Sequence, residues 1–191
     1  MKQMIKLACT LSAYAVIACL ALAAVYSFTA PRIAEVKAEK TNRALKKVFP
    51  EAEDFKEISA EIPQTLNKTK FLNAYAAMKN GENVGITITA NGPTYAKATI
   101  LVAFDLNKTI RKIEFLELTD TPSLGSKAAE EPFKGQFTGK PIDSPFEVKG
   151  DINAIGGATI TSKGVAAILK DASSAAMEYI NKNNPGEGEN K

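Results

Sequence analysis

Histidine is absent from this 191-residue chain. That removes His-ligated haem, His-based zinc sites and Ser-His or Cys-His catalytic pairs. Cysteine is nearly absent: Cys9 and Cys19 are the only two, and both lie in an apolar N-terminal run. The remainder therefore has no thiol, disulfide, Cys-bound metal or iron–sulfur cluster. Any redox chemistry requires an organic cofactor. A charge excess is missing too. The net charge is +3, and residues 31–191 carry 22 basic and 21 acidic groups. Nothing in that balance serves to neutralise phosphates, so nucleic acid is excluded as a partner. What is present is 45% hydrophobic and 24% charged residues, enough for a packed core. The length suits one ordinary domain with appendages.

From Leu7 to Pro31 no residue is charged. As a helix this stretch extends roughly 37 Å, enough for a hydrocarbon core of about 30 Å. Tyr26 suits an interfacial position, and Lys2 and Lys6 favour a cytoplasmic N-terminus. Arg32, Lys37 and Lys40 flank the other end, but long domains translocate largely regardless of charge. The sequence thus predicts a retained single-pass anchor with residues 32–191 outside. Two other readings stand beside it: a signal peptide cleaved near Ala21-Leu22-Ala23, and a lipoprotein with Val16-Ile17-Ala18-Cys19 as its lipobox. Either would leave an unusually apolar mature N-terminus.

Beyond Pro31, Ile33, Val36, Ala44, Leu45, Val48 and Phe49 recur at helical spacing and predict a helix up to Pro50. Residues 50–68 read as an acidic, loop-like stretch. Strand patterns at Phe71–Lys79 and Val84–Ala90 flank the turn residues Asn80-Gly81-Glu82-Asn83, which predicts a hairpin. Ala98–Asp105 and Ile110–Leu118, around Leu106–Thr109, predict a second one. Residues 119–150 are punctuated by Pro and Gly, with a short helix near Ala128–Glu131 and an extended piece at Phe146–Lys149. Val165, Ile168, Leu169, Ala172, Ala176, Tyr179 and Ile180 mark the apolar face of a last helix. Thr161 or Ser162 supplies its N-cap hydroxyl, and Asn183-Asn184-Pro185-Gly186 stops it. The fold class is α+β: an antiparallel sheet flanked by helices, with one N-terminal transmembrane helix.

Residues 153–163 read Asn-Ala-Ile-Gly-Gly-Ala-Thr-Ile-Thr-Ser-Lys. Glycines permit unusual backbone angles and close approach. A following helix offers free N–H groups and a partial positive charge, so Gly156 to Lys163 is a plausible phosphate seat. Lys163 adds a cation where the macrodipole disfavours one unless an anion is near. On residue chemistry alone, an ordinary Gly-Gly turn capped by a hydroxyl is the favoured reading. Neither the Walker spacing nor a Gly-x-Gly-x-x-Gly fingerprint occurs.

This stretch resembles the flavinylation motif of the FMN-binding domain family, Asp-x-x-Ser/Thr-Gly-Ala-Thr. Asn153 stands in place of the Asp and Gly156 in place of the Ser or Thr; Gly157, Ala158 and Thr159 match, with Ile160 and Thr161 following. Asp120-Thr121-Pro122-Ser123-Leu124-Gly125-Ser126-Lys127 is similar to the family's Glu-Thr-Pro-Gly-Leu-Gly-Ala-Lys, and Phe133–Phe137 to the segment after it. The N-terminal layout, an anchor followed by Thr29-Ala30-Pro31-Arg32-Ile33, favours the branch formed by the G component of the Rnf electron-transport complex. The C component of the sodium-translocating quinone reductase is a related member.

The resemblance implies FMN held covalently by a phosphoester at Thr159, delivered from FAD by a separate flavin transferase. It implies that Thr121, Leu124 and Gly125 approach the flavin, with Thr121 as a donor, Leu124 packing on the ring and Gly125 allowing close backbone approach. It also implies electron transfer among other subunits of an ion-pumping complex in the cell (inner) membrane. In this reading the chain is a redox subunit rather than a stand-alone enzyme, and no residue acts as general acid or base. The expected organisation is 1–31 cytoplasmic N-terminus and anchor, 32–182 extracytoplasmic FMN-binding domain, and 183–191 disordered tail. The rival readings are an anchored scaffold without flavin and a flavoprotein of extracellular electron transfer.

Overall fold

The structure is a computed structural model that describes residues 2–183. Two compact units are present, Met1–Asn42 and Arg43–Lys191. Helix α1 spans Lys2–Val48, and its apolar portion is long enough to cross a membrane by length and composition. Large apolar side chains from Met4 to Phe28 are 57–84% exposed. Such a surface is costly in water and natural in lipid. Hydroxyls within the apolar run turn back on their own helix. Thr10 donates to the Leu7 carbonyl at 2.8 Å, Ser27 to Ala23 at 2.9 Å and Thr29 to Val25 at 2.9 Å. Polar groups in hydrocarbon need such internal partners.

The second unit is built on one antiparallel sheet. Its strands are β1 (Asp54–Glu57), β2 (Thr65–Leu66), β3 (Thr69–Lys79), β4 (Glu82–Pro93), β5 (Lys97–Asp105) and β6 (Thr109–Leu118). The order is β1-β3-β4-β5-β6, with β2 also pairing with β3. Both expected hairpins form. Asn80 and Gly81 each take positive φ, 50° and 81°, the geometry a two-residue hairpin turn requires. A short helix, α2 (Glu131–Lys134), and helix α3 (Thr159–Asn183) follow.

Strand β5 is buried on both sides, which explains its nearly unbroken apolar sequence. Ala98, Ile100, Val102 and Phe104 belong to the main core with Val165, Ile168, Leu169, Ala172 and Ala176 of α3. Leu101 and Ala103 form a smaller cluster with Ala44, Leu45, Val48 and Phe49. All seven positions expected on the apolar face of α3 are buried. Arg111 lies 4.6 Å from the centre of the Phe49 ring and pairs with Glu51 at 2.6 Å.

Three expectations are corrected. The 50–68 stretch contains β1 and β2 rather than loop alone; both are short and lack clear alternation, so periodicity misses them. Phe146–Lys149 is not extended: Phe146 and Lys149 have φ of 53° and 74°. Asp151 causes the bend by accepting from Glu147 N–H at 2.6 Å and Phe146 N–H at 3.3 Å. Finally, α3 starts at Thr159, so Thr161 and Ser162 lie inside its first turn rather than at the cap. Of the segment expected to be a tail, Asn183 ends α3 and the rest lies outside the described residues.

Candidate functional site at the start of helix α3

The Gly-Gly segment delivers the chain into α3. Gly157 has φ of 78°, a left-handed conformation that a side chain would strain. A Cβ there would also sit 3.2 Å from Leu124 Cδ2. Gly156 has no such constraint, since nothing lies within 4 Å of the place a Cβ would occupy. Ala158 is buried. The helical hydrogen-bond ladder opens with Ser162 N–H donating to the Ala158 carbonyl at 3.0 Å. The N–H groups of Thr159, Ile160 and Thr161 precede that ladder and have no helical acceptor; Thr159 and Ile160 are exposed, and Thr161 is buried.

The two threonines of the motif have opposite environments. Thr159 is exposed, and its hydroxyl has no hydrogen-bond partner among the described residues. Thr161 is 2% exposed, and its hydroxyl donates to Asp120 Oδ2 at 2.6 Å. Ser162 is also occupied: its hydroxyl donates to the Ala158 carbonyl at 3.0 Å and accepts from Ile155 N–H at 3.0 Å.

Asp120 is the hub of the site; the sequence places it at the head of the loop motif, and only the structure shows what it binds. Besides Thr161 it accepts from the Thr94 hydroxyl at 2.5 Å, Ala96 N–H at 2.9 Å and Tyr95 N–H at 3.2 Å. Burial alone pushes its carboxyl up. Hydrogen bonds from Thr161 and Thr94, then from Ala96 and Tyr95, outweigh that and hold it below the ordinary aspartate range. Gly125 completes the packing: a Cβ there would meet Asp120 Cβ at 2.5 Å and Thr161 Oγ1 at 2.9 Å. The 120–125 loop and the Gly156–Thr161 segment therefore adjoin, as their joint resemblance implied. The loop is pinned by Leu124 and Ser126 N–H groups donating to the Thr121 carbonyl at 3.3 Å each. The Thr121 side chain is exposed.

Gln136 lies in the Phe133–Phe137 segment, and its role becomes visible only in the structure. It accepts from Asn153 N–H at 2.9 Å and donates to the Asn153 carbonyl at 3.3 Å. This fixes the chain ahead of the glycines and leaves the Asn153 side chain at the surface.

These features fit a phosphorylated, aromatic cofactor. A free hydroxyl and open N–H groups suit a phosphate. Leu124 and Ile160, 44% and 60% exposed, offer apolar surface to a flat ring. The first turn of α3 contains no acid, and the cation Lys163 follows it directly, a charge an anion would balance. Among the described residues no group of His, Cys, Asp and Glu is disposed to bind a metal ion.

The FMN-binding domain family matches residues 94–174, from Thr94 through the Asp120 loop and the motif into α3. The RnfG N-terminal region matches residues 1–48. The G component of the Na(+)-translocating ferredoxin:NAD(+) oxidoreductase complex of Acetobacterium woodii is 32% identical over 184 residues, spanning 87% of this chain and 88% of that protein. The G component of the proton-translocating complex of Clostridium ljungdahlii is 29% identical over 157 residues, spanning 79% and 80%. The fold is similar to the C component of the Na(+)-translocating NADH-quinone reductase of Parabacteroides distasonis, with a TM-score of 0.54 and 16% identity over 76% of this chain and 92% of that one. It is also similar to NqrC of Shewanella oneidensis, with a TM-score of 0.50 and 16% identity over 60% and 61%. With both regions matched in order and a relative aligned over nearly its full length, this chain belongs to the RnfG family of ion-translocating oxidoreductase complexes.

Proposed function

We propose that the chain is the electron-transfer subunit of a membrane-bound, ion-translocating oxidoreductase complex and carries FMN through a phosphoester on Thr159. The observation that carries the covalent reading is the contrast between the two threonines. Thr159 presents a free hydroxyl at an open helix start, while the Thr161 hydroxyl is buried and bound to Asp120. In this reading the Thr159 oxygen would bond to the phosphorus of the FMN half of FAD and give up its proton, while the pyrophosphate P–O bond breaks and AMP leaves. The N–H groups of Thr159 and Ile160, at the exposed start of the helix, would donate to phosphate oxygens. Leu124 and Ile160 cover the ring, Gly156, Gly157 and Gly125 let backbone come close, and Thr121 stands at the loop edge as a donor. The flavin, when bound, supplies the electron carrier; the chain's part is to hold it and set its surroundings. A flavin transferase that uses FAD is the implied maturation partner. Helix α1 anchors the chain, with the flavin domain on the extracytoplasmic side.

Co-expression with an active flavin transferase, followed by a denaturing gel viewed under ultraviolet light, tests this. The wild-type band fluoresces and Thr159→Val does not. A dark wild-type band, beside a fluorescent control substrate of the same transferase, rejects the covalent flavin and favours the anchored scaffold.

A further inference from the structure

We infer that Asp120 is a positioning residue for the Thr159 site, acting as a clamp that holds the first turn of α3 so that Thr159 faces outward. The inference rests on the flavin-attachment reading above and deepens it. One buried carboxylate gathers three chain segments: the turn after β4 through Thr94, Tyr95 and Ala96, its own loop, and α3 through Thr161. Oδ1 takes the Thr94 hydroxyl and Ala96 N–H; Oδ2 takes Tyr95 N–H and the Thr161 hydroxyl. Thr161 is two residues beyond Thr159. Fixing its side chain inward fixes the rotation of that turn, because residues two apart on a helix point to different sides.

Every partner of Asp120 is a donor, so Asp120→Asn cannot be accommodated quietly. Each oxygen receives one backbone N–H, and whichever position takes the amide nitrogen sets donor against donor. The same helix provides a control. Asp171 is buried and accepts from Thr69 at 2.5 Å and Asn67 at 2.7 Å, but it lies three turns further along. Asp171→Asn therefore disturbs a comparable carboxylate without touching the first turn.

The test uses the full chain in detergent, FAD and a flavin transferase, and follows the initial rate of flavin attachment together with thermal unfolding. Asp120→Asn slows attachment by up to about 100-fold, the cost of a misplacement of about 1 Å, while Asp171→Asn lowers the melting temperature and leaves the rate within about twofold of wild type. Thr161→Val slows attachment like Asp120→Asn, its flavin remains on Thr159, and Thr161→Ser recovers most of the rate because it retains the donor. The Asp120→Asn, Thr161→Val double variant is no slower than the worse single one, since both remove the same contact. Equal slowing by Asp120→Asn and Asp171→Asn, or a wild-type rate in Asp120→Asn, overturns the clamp. If the wild type accepts no flavin, the Thr159 reading fails by itself and hydrogen exchange decides the clamp. Faster exchange at the amides of Ser162 to Val165 in Asp120→Asn but not in Asp171→Asn supports it, and unchanged exchange overturns it.

Discussion

Asp120 and Thr161 stand 41 positions apart in the chain and share a 2.6 Å hydrogen bond. No local spacing announces that pair, so the sequence conveys the two motifs but not the bond that joins them. The charge state of Asp120 has a consequence for stability. Its folded pKa lies below the ordinary value, so its contribution is fully present above the unfolded value of about 3.9 and is lost as pH falls through the lower, folded value. Asp151 is depressed as well: burial opposes ionisation, but the Glu147 N–H and Lys140 outweigh it. Denaturant titrations below about pH 4 are expected to show the wild type losing stability steeply, and Asp120→Asn to show a shallower acid limb. The neighbouring glycines differ in the same concrete way. Gly157→Ala costs about 1 kcal/mol or more, from positive φ and the contact with Leu124. Gly156→Ser stays within about 0.5 kcal/mol because its surroundings are open. Urea midpoints measured at constant m-value check both. The Gly156 departure from the family motif is therefore sterically neutral.

Elements were legible where one physical signal dominated. The β3–β4 turn follows from Asn80-Gly81, and α3 follows from a 3.6-residue apolar stripe that burial reproduces at every expected position. Where several signals compete, local reading fails. Thr161 and Ser162 look like caps because hydroxyls favour helix starts, but distant Asp120 claims the Thr161 side chain, the Ser162 hydroxyl turns back on the Ala158 carbonyl, and the helix begins at Thr159 instead. At Phe146–Lys149 the apolar spacing suggests a strand, and Asp151 bends the backbone by accepting two of its N–H groups. The sheet depends on α3 for one of its faces. Leu169 is fully buried there, so Leu169→Ala is expected to cost about 2–5 kcal/mol. A chemical denaturation curve of the second unit's transition measures this; a loss under about 1 kcal/mol would show that α3 is not integral to the core.

At the scale of the whole molecule, composition separated an apolar helical run from a balanced, foldable remainder. The structure divides the chain into Met1–Asn42 and Arg43–Lys191. The apolar side chains of the first unit are unpartnered in their own helix, as an anchor requires. Full-length protein is expected in the membrane pellet after high-salt and alkaline washes, and in the supernatant only with detergent; release by salt alone would reject the anchor. The proposed attachment at Thr159 falls within the residues that the FMN-binding domain family matches, at the turn where Gly157 passes the chain to the helix. Mass spectrometry of proteolytic peptides from the mature, transferase-treated protein tests that place most directly. The peptide containing residues 153–163 is expected to gain the mass of one FMN less water, with fragmentation assigning it to Thr159. Assignment to Thr161, or an unmodified peptide while a control protein is flavinylated, would contradict the attachment at Thr159.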